Sequence, residues 1–205
     1  TFDMKQLGAD AKGINSCTEL INRTIEKAAL EGGGTIYFPA GTYLTATIHM
    51  KSNITLYLES GAVLRFSDKF EDYLPFVTLR WEGTVMKSLS PLIYAHSADN
   101  VTISGRGTLD GNGLKWWLWE FDTRKVIKEN GGKLPALDKL QQMWVDANKD
   151  LEISDYYKPS LERRMFRPPF IQFYECTNIL IENVKIINSP FWTINPAFCD
   201  NVTIH

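Results

Sequence analysis

Cysteine is scarce in this 205-residue chain: Cys17, Cys176 and Cys199 are an odd number, spread too widely to make a disulfide framework. Long apolar runs are missing as well. No stretch of about 18 apolar residues exists, so no helix is expected to span a membrane. Neither sign of charge is in excess: 22 basic and 24 acidic residues leave a net charge of −2, which gives no electrostatic footprint for nucleic acid. The three histidines, His49, His96 and His205, belong to no His/Asp/Glu/Cys cluster with metal-ligand spacing, so no metal site is expected. No serine or cysteine stands in a nucleophile-elbow setting, and no phosphate-cradling motif occurs. The opening residues Thr1-Phe2-Asp3-Met4-Lys5 lack the charged and apolar regions of a signal peptide. Either the protein is cytoplasmic or its leader lies outside this sequence.

What remains is ordinary for a packed chain, with 44% hydrophobic and 22% charged residues. One helix is expected near Ser16 to Leu30. Ser16-Cys17-Thr18-Glu19 fits a capping box, Leu20, Ile21, Ile25, Ala28 and Ala29 form one apolar stripe, and Gly32-Gly33-Gly34 ends it. The strand Thr35-Ile36-Tyr37-Phe38 follows. A helix ahead of a β-rich chain reads as a cap over an open core.

A repeated pattern is more informative. Asn53-Ile54-Thr55-Leu56, Asn100-Val101-Thr102-Ile103, Asn178-Ile179-Leu180-Ile181 and Asn201-Val202-Thr203-Ile204 all read Asn, β-branched apolar, any residue, apolar. Their separations are 47, 78 and 23 residues. With 23 as the unit, 47 is two units and 78 is one unit plus a surplus of about 55. Short strands at this period, without a helix in each unit, predict an all-β, right-handed parallel β-helix, with asparagine at the corners because it tolerates left-handed backbone angles. Gly105-x-Gly107 before Asp110-Gly111 then reads as a solenoid turn. Four N-x-S/T sequons start at Asn22, Asn53, Asn100 and Asn201, but three of them belong to this repeat, which needs Asn and Thr for structure. Cys176 and Cys199 also stand one unit apart; a disulfide would fit the strand spacing, although stacked free thiols are favoured.

The surplus falls at residues 114–167. This segment carries 20 charged residues in 54, against 26 in the other 151, and four of the six tryptophans: Trp116, Trp117, Trp119 and Trp144. Leu137, Leu140 and Trp144, after Pro135, predict a helix within it. The segment reads as an excursion laid over the side of the coil. The chain is thus expected to be one partial β-helix domain over 1–205, with a cap region at 1–34 and the insertion at 114–167.

These residues resemble a known family. Phe2-Asp3, Gly8-Ala9 and Gly32 through Tyr43 are similar to the opening of pectin-lyase-like β-helices. Leu56-Tyr57-Leu58-Glu59-Ser60-Gly61-Ala62, Gly105-Arg106-Gly107-Thr108-Leu109-Asp110-Gly111, Arg167-Pro168-Pro169 and Asn188-Ser189-Pro190-Phe191-Trp192 narrow the resemblance to glycoside hydrolase family 28, in its bacterial branch. It implies hydrolysis of α-1,4-galacturonosyl-type linkages in pectin with inversion, by an acid and a base set far enough apart to admit water. It also implies a secreted or periplasmic enzyme, a pectic polysaccharide or oligosaccharide as partner, and no cofactor. The family's four catalytic motifs (Asn-Thr-Asp, Asp-Asp, Gly-His-Gly and Arg-x-Lys) do not occur here. In the family they begin roughly one turn after Ser-Pro-x-Trp, so the sequence is expected to be an amino-terminal half, inactive alone, with no catalytic residue of its own. A non-catalytic carbohydrate-binding or structural β-helix is the alternative; a lyase of the wider superfamily would need a Ca²⁺ site of clustered acids, which is not seen.

Within the chain, the carboxylates Glu71-Asp72, Asp99, Asp110 and Asp200 read as turn or solvation groups. Neighbours such as Glu71 and Asp72 would face opposite ways on a strand. Sugar binding has better candidates. Sugars pack C–H faces on aromatic rings, and galacturonate adds a carboxylate that arginine can grip at two points. Trp116, Trp117 and Trp119 with Arg167 are outer-subsite candidates, weighed against a role in anchoring the insertion. Trp192 and Asn195 are expected beside the cleft, although bacterial relatives usually show His where this chain has Asn195, so a proton or charge role is not expected there.

Overall fold

The computed structural model describes residues 1–133, 136–151 and 167–205. The chain winds as a right-handed parallel β-helix with three sheets along its length. A first coil holds β1 (Phe2–Asp3), β2 (Lys12–Ser16) and α1 (Thr18–Leu30); a second holds β3 (Gly34–Phe38), β4 (Gly41–Thr45) and β5 (Ile48–His49). In the third, β6 (Ile54–Leu58) and β7 (Ala62–Phe66) are followed by an excursion before the coil resumes. The excursion carries a 3-10 turn (Phe70–Tyr73) and the hairpin β8 (Val77–Trp81) and β9 (Thr84–Ser88); β10 (Ile93–His96) then completes the coil. The fourth contains β11 (Asp99–Gly105) and β12 (Thr108–Asp110), the helices α2 (Leu114–Glu129) and α3 (Lys139–Ala147), and β13 (Ile171–Tyr174). The last strands are β14 (Thr177–Ile181), β15 (Lys185–Ile187) and β16 (Asp200–Ile204), with Ile194 and Ala197 bridging to Ile171 and Tyr174.

Sheet 1 runs β1-β3-β6-β11-β14-β16, sheet 2 runs β2-β4-β7-β12-β15 and sheet 3 runs β5-β10-β13. Alternate residues point inward and meet their counterparts one coil away. In sheet 1, Ile36, Leu56, Ile103, Ile181 and Ile204 pair in succession; Tyr43, Leu64, Leu109 and Ile186 do so in sheet 2, and Ile48, Ile93, Ile171 and Ile194 in sheet 3. Each fully buried Ile or Leu of these ladders contributes about 1.5–3 kcal/mol relative to exposure. Such continuity fixes register, because a one-residue slip would turn a whole strand inside out.

The asparagine pattern marks the corner leading into sheet 1. Asn53, Asn100, Asn178 and Asn201 have φ of 62°, 57°, 54° and 53°, the left-handed region expected for them. Their amides also join successive coils. Asn100 Nδ2 donates to Asn53 Oδ1 (3.0 Å) and Asn201 Nδ2 to Asn178 Oδ1 (2.6 Å), while Asp99 receives Asn178 Nδ2 (2.7 Å) and Thr177 Oγ1 (2.6 Å). These donors, Thr177 first and then Asn178, hold the Asp99 carboxyl below its ordinary range.

Two expectations need correction. Thr102 pairs directly with Thr55, so the 47-residue spacing is one coil and not two; the hairpin excursion is close to one repeat long and mimics a coil in the sequence. The 78-residue spacing also separates neighbouring coils, since Thr102 pairs with Leu180. Second, no capping box forms at Ser16–Glu19. Cys17 occupies the N-cap without a side-chain bond, and Thr18 Oγ1 instead accepts from Ala46 N–H (2.7 Å) in the next coil. A capping box forms on α3, between Asp138 and Gln141. Glu71 and Asp72 lie in the 3-10 turn, in keeping with a turn role. Helix α1 takes the place of a third strand in the first coil and buries Ile21, Ile25 and Ala28 in the main core. Asn22 clamps it there, donating to Thr47 O (2.9 Å) and accepting from His49 N–H (2.8 Å).

Gly105 tests how tightly the coils close. Its φ is +117°, and a Cβ at this position would lie 2.0 Å from the Leu58 carbonyl oxygen and 2.8 Å from the Leu58 backbone carbon and nitrogen. Gly105→Ala is expected to cost about 3 kcal/mol, from backbone strain plus forced displacement of the neighbouring coil. Urea unfolding measures it, and an unchanged midpoint would contradict this packing.

Candidate functional site

The outer face of sheet 3 presents His49, Tyr94 and Gln172 in register, with Asn195 in the next coil's segment beside Gln172; His96 and Tyr174 form the adjacent row. Most of the molecule's irregular structure gathers around this face. The hairpin β8–β9 is bonded to it through side chains. Gln172, 0% exposed, accepts from Arg80 N–H and donates to Arg80 O (both 2.8 Å), replacing the ladder bonds of a missing strand. Tyr94 Oη donates to Thr78 O (2.5 Å), and Trp81 Nε1 donates to Arg167 O (3.1 Å). Helix α3 is attached in turn, since Asn148 accepts from Lys87 N–H (2.8 Å) and donates to Lys87 O (2.7 Å).

Helix α2 is held by aromatic packing. Trp116 stacks on Phe70 (centroids 4.1 Å apart, planes at 17°), meets Tyr73 edge-on and is only 1% exposed. Trp119 meets Phe70 edge-on at 5.6 Å. Trp116 therefore cannot receive a sugar; it anchors the insertion.

The other candidates converge on Ser189-Pro190-Phe191-Trp192. Trp117 Nε1 donates to Ser189 O (2.8 Å), and Arg167 Nη1 donates to Pro190 O (3.0 Å) while its guanidinium lies 5.0 Å from the Phe191 ring centroid. Phe191 is stacked between Trp81 (5.3 Å, 15°) and Trp192 (5.4 Å, 7°), giving three nearly parallel rings. Trp192 ends this stack and is 45% exposed. Asn195 stands apart from the cluster. Its N–H donates to Ile171 O (2.9 Å), and its side-chain Nδ2 is buried with no partner among the described residues.

Arg167 is not free to hold a substrate carboxylate. Glu120, 4% exposed, pairs with both Arg167 and Arg124. Burial lowers the Arg167 pKa, and Glu120 opposes that shift. The sequence reading missed Glu120, although its i,i+4 spacing to Arg124 was visible. Besides Asp99, two more of the weighed carboxylates have structural partners: Asp110 accepts from Asn188 Nδ2 (2.8 Å) and Asn112 N–H (3.0 Å), and Asp72 from Ser67 Oγ (2.5 Å). Cys176 and Cys199 are free thiols. Among the described residues, no helix is long and apolar enough to cross a membrane.

This architecture defines the class: a right-handed parallel β-helix with excursions walling one sheet face. Residues 1–74 match the family model described as rhamnogalacturonase A/epimerase, pectate lyase-like. Over 185 residues the chain is 26% identical to a probable polygalacturonase from Vitis vinifera, an alignment covering 88% of this chain and 30% of that protein. It is 31% identical over 121 residues to an exo-poly-alpha-D-galacturonosidase from Dickeya chrysanthemi, covering 56% of this chain and 20% of the relative. Among solved structures, the hyperthermoactive exopolygalacturonase from Thermotoga maritima superposes with a TM-score of 0.77 at 37% identity, covering 98% of this chain and 45% of that one. The resemblance to polygalacturonase-like glycoside hydrolases of family 28 therefore holds in sequence and in fold. The chain spans less than a third of each of the two curated relatives.

Two predictions follow from these side chains. Glu120→Gln leaves Arg167 buried without its counter-charge and is expected to cost about 3 kcal/mol, whereas Glu120→Gln with Arg167→Met recovers most of the loss. Urea unfolding of the single and double variants decides it; a neutral single variant would refute the buried pair. His49, edge-on to Tyr94 at 5.7 Å, has its pKa lowered first by burial and then by Lys51, with Glu26 opposing. The unfolded imidazole takes up its proton near pH 6.5 and the folded one only at lower pH. This contribution is complete above about pH 6.5 and is lost as pH falls toward the folded pKa. His49→Gln should flatten that part of the stability–pH curve between pH 7.5 and 5, and an unaltered curve would exclude it.

Proposed function

We propose that this chain is the amino-terminal β-helix portion of a secreted or periplasmic pectin-degrading glycoside hydrolase that cleaves α-1,4-galacturonosyl-type linkages with inversion. The observation that carries this reading is the 37% identity to the Thermotoga maritima exopolygalacturonase across 98% of the chain, with matching fold. None of the family's four catalytic motifs is among the 205 residues, and the acid and base are accordingly assigned outside them. The described chain contributes the wall of the cleft. Trp192, at the end of the three-ring stack, offers the aromatic face on which a sugar's C–H surface packs. Trp117 and Arg167 act one step back, holding Ser189 and Pro190 and so the angle of that platform. Asn195 supplies an uncharged amide on the sheet 3 face. Inversion at an α-linkage makes the first product a β-anomer, because water enters opposite the leaving oxygen.

The test has two parts. The protein carrying this chain is incubated with polygalacturonate, and the first-formed anomer is read by proton NMR; β-product is expected, and α-product would refute inversion. The 205-residue chain alone should be retained on a polygalacturonate gel and release no reducing ends, with Trp192→Ala weakening retention about tenfold, the scale of one lost ring contact. Reducing ends from this chain would overturn the assignment of the acids. Retention without cleavage by the longer protein would favour the non-catalytic alternative.

A further inference from the structure

Arg80, in the hairpin strand β8 bonded to sheet 3 through Gln172, presents a cation beside that face. It has no carboxylate partner among the described residues, in contrast to Arg167, which is committed to Glu120. Its backbone is fixed at both polar atoms by the Gln172 amide, so the start of the side chain is set by the coil and not by a free loop. Its guanidinium lies 5.7 Å from the centroid of the Phe198 ring. A guanidinium stacked on an aromatic face keeps its N–H edge open for two parallel bonds to a carboxylate.

Phe198 is 61% exposed, and its φ of +56° repeats the left-handed corner that Ser97 (51°) and Glu175 (53°) make in the two preceding coils, so the solenoid fixes where its ring is presented. Tyr174 braces the ring edge-on at 5.5 Å. Glu175, the neighbouring acid in sequence, is turned to His96 at 3.4 Å. Asn195, next to Gln172 on the sheet 3 face, has a buried Nδ2 without a partner among the described residues.

We infer that Arg80 and Phe198 form a uronate-binding subsite, in which Arg80 grips the sugar carboxylate and the ring edge of Phe198 packs beside the pyranose. Resting on the pectin-directed reading above, this assigns acid recognition to the hairpin β8–β9. Arg80 determines specificity and takes no part in proton transfer. A methyl-esterified residue, which lacks the negative charge, gains nothing from it.

Isothermal titration of the protein with trigalacturonate and with its fully methyl-esterified form tests the assignment. The wild type is expected to prefer the acid form. Arg80→Gln should lower acid affinity about tenfold or more and erase the preference, as expected for loss of a charge-assisted bidentate contact. Arg80→Lys should keep part of it, and Phe198→Ala should weaken both forms alike. Because Gln172 bonds the Arg80 backbone, the Gln variant should keep its fold, with far-UV circular dichroism as the check. An acid preference surviving in Arg80→Gln, equal loss of both forms, or equal binding of both forms by the wild type would overturn this subsite while leaving the pectin reading in place. A wild type that binds neither form would refute the pectin reading itself, and the subsite with it.

Discussion

Each coil must return the chain to the same bearing one strand spacing further along the axis. A parallel strand is paired on both sides by other coils, and its inward residues must stack on theirs, so an error in one coil propagates into its neighbours. The unbroken row Ile36, Leu56, Ile103, Ile181 and Ile204 shows the constraint being met across sheet 1. Left-handed asparagines make the corners reproducible, and Gly105, packed against the Leu58 backbone, lets adjacent coils close.

The same constraint determines where irregular structure can go. Strands that carry the ladders cannot absorb extra residues, but a corner can, provided that the chain leaves and re-enters in register. Both excursions use one corner, between sheets 2 and 3: the hairpin follows β7 and precedes β10, and the helices follow β12 and precede β13. The Ser189–Trp192 segment occupies the equivalent position after β15. Stacked along the axis, these three segments necessarily touch. Trp81 stacks on Phe191, Trp117 reaches Ser189, and Asn148 bonds Lys87. A wall beside sheet 3 therefore results from repeated use of a single tolerant corner.

Sequence reading succeeded where residues repeat and failed where excursions imitate repetition. The Asn–apolar pattern was legible because each copy meets the same demand, a left-handed corner followed by two inward apolar positions. The 47-residue spacing misled because the hairpin excursion is nearly one coil long. A signal against that reading was present: Glu82-Gly83 between the alternating runs Val77–Trp81 and Thr84–Ser88 is a two-residue hairpin turn, and both residues have positive φ, 45° and 92°. The capping box at Ser16 failed for a different reason. Thr18 had a competing partner in the next coil, the Ala46 N–H, which local sequence cannot reveal.

The two arginines show how tertiary packing sets what a cation's charge is engaged with. Arg167 lies in the Arg167-Pro168-Pro169 segment on which part of the family resemblance rests, and from sequence it is a candidate grip for a uronate. In the fold, Glu120 rises from α2 into the same buried space, and separating that pair would strand a charge at low dielectric. Arg167 is thereby an internal tie that holds the insertion to the Phe191 platform. Arg80 occupies an unremarkable position in an alternating strand, yet its backbone is anchored and its charge has no counter-ion among the described residues. Whether an arginine is tied into the structure is decided by the presence of a buried carboxylate partner, and that partner is supplied by tertiary packing, not by the motif in which the arginine sits.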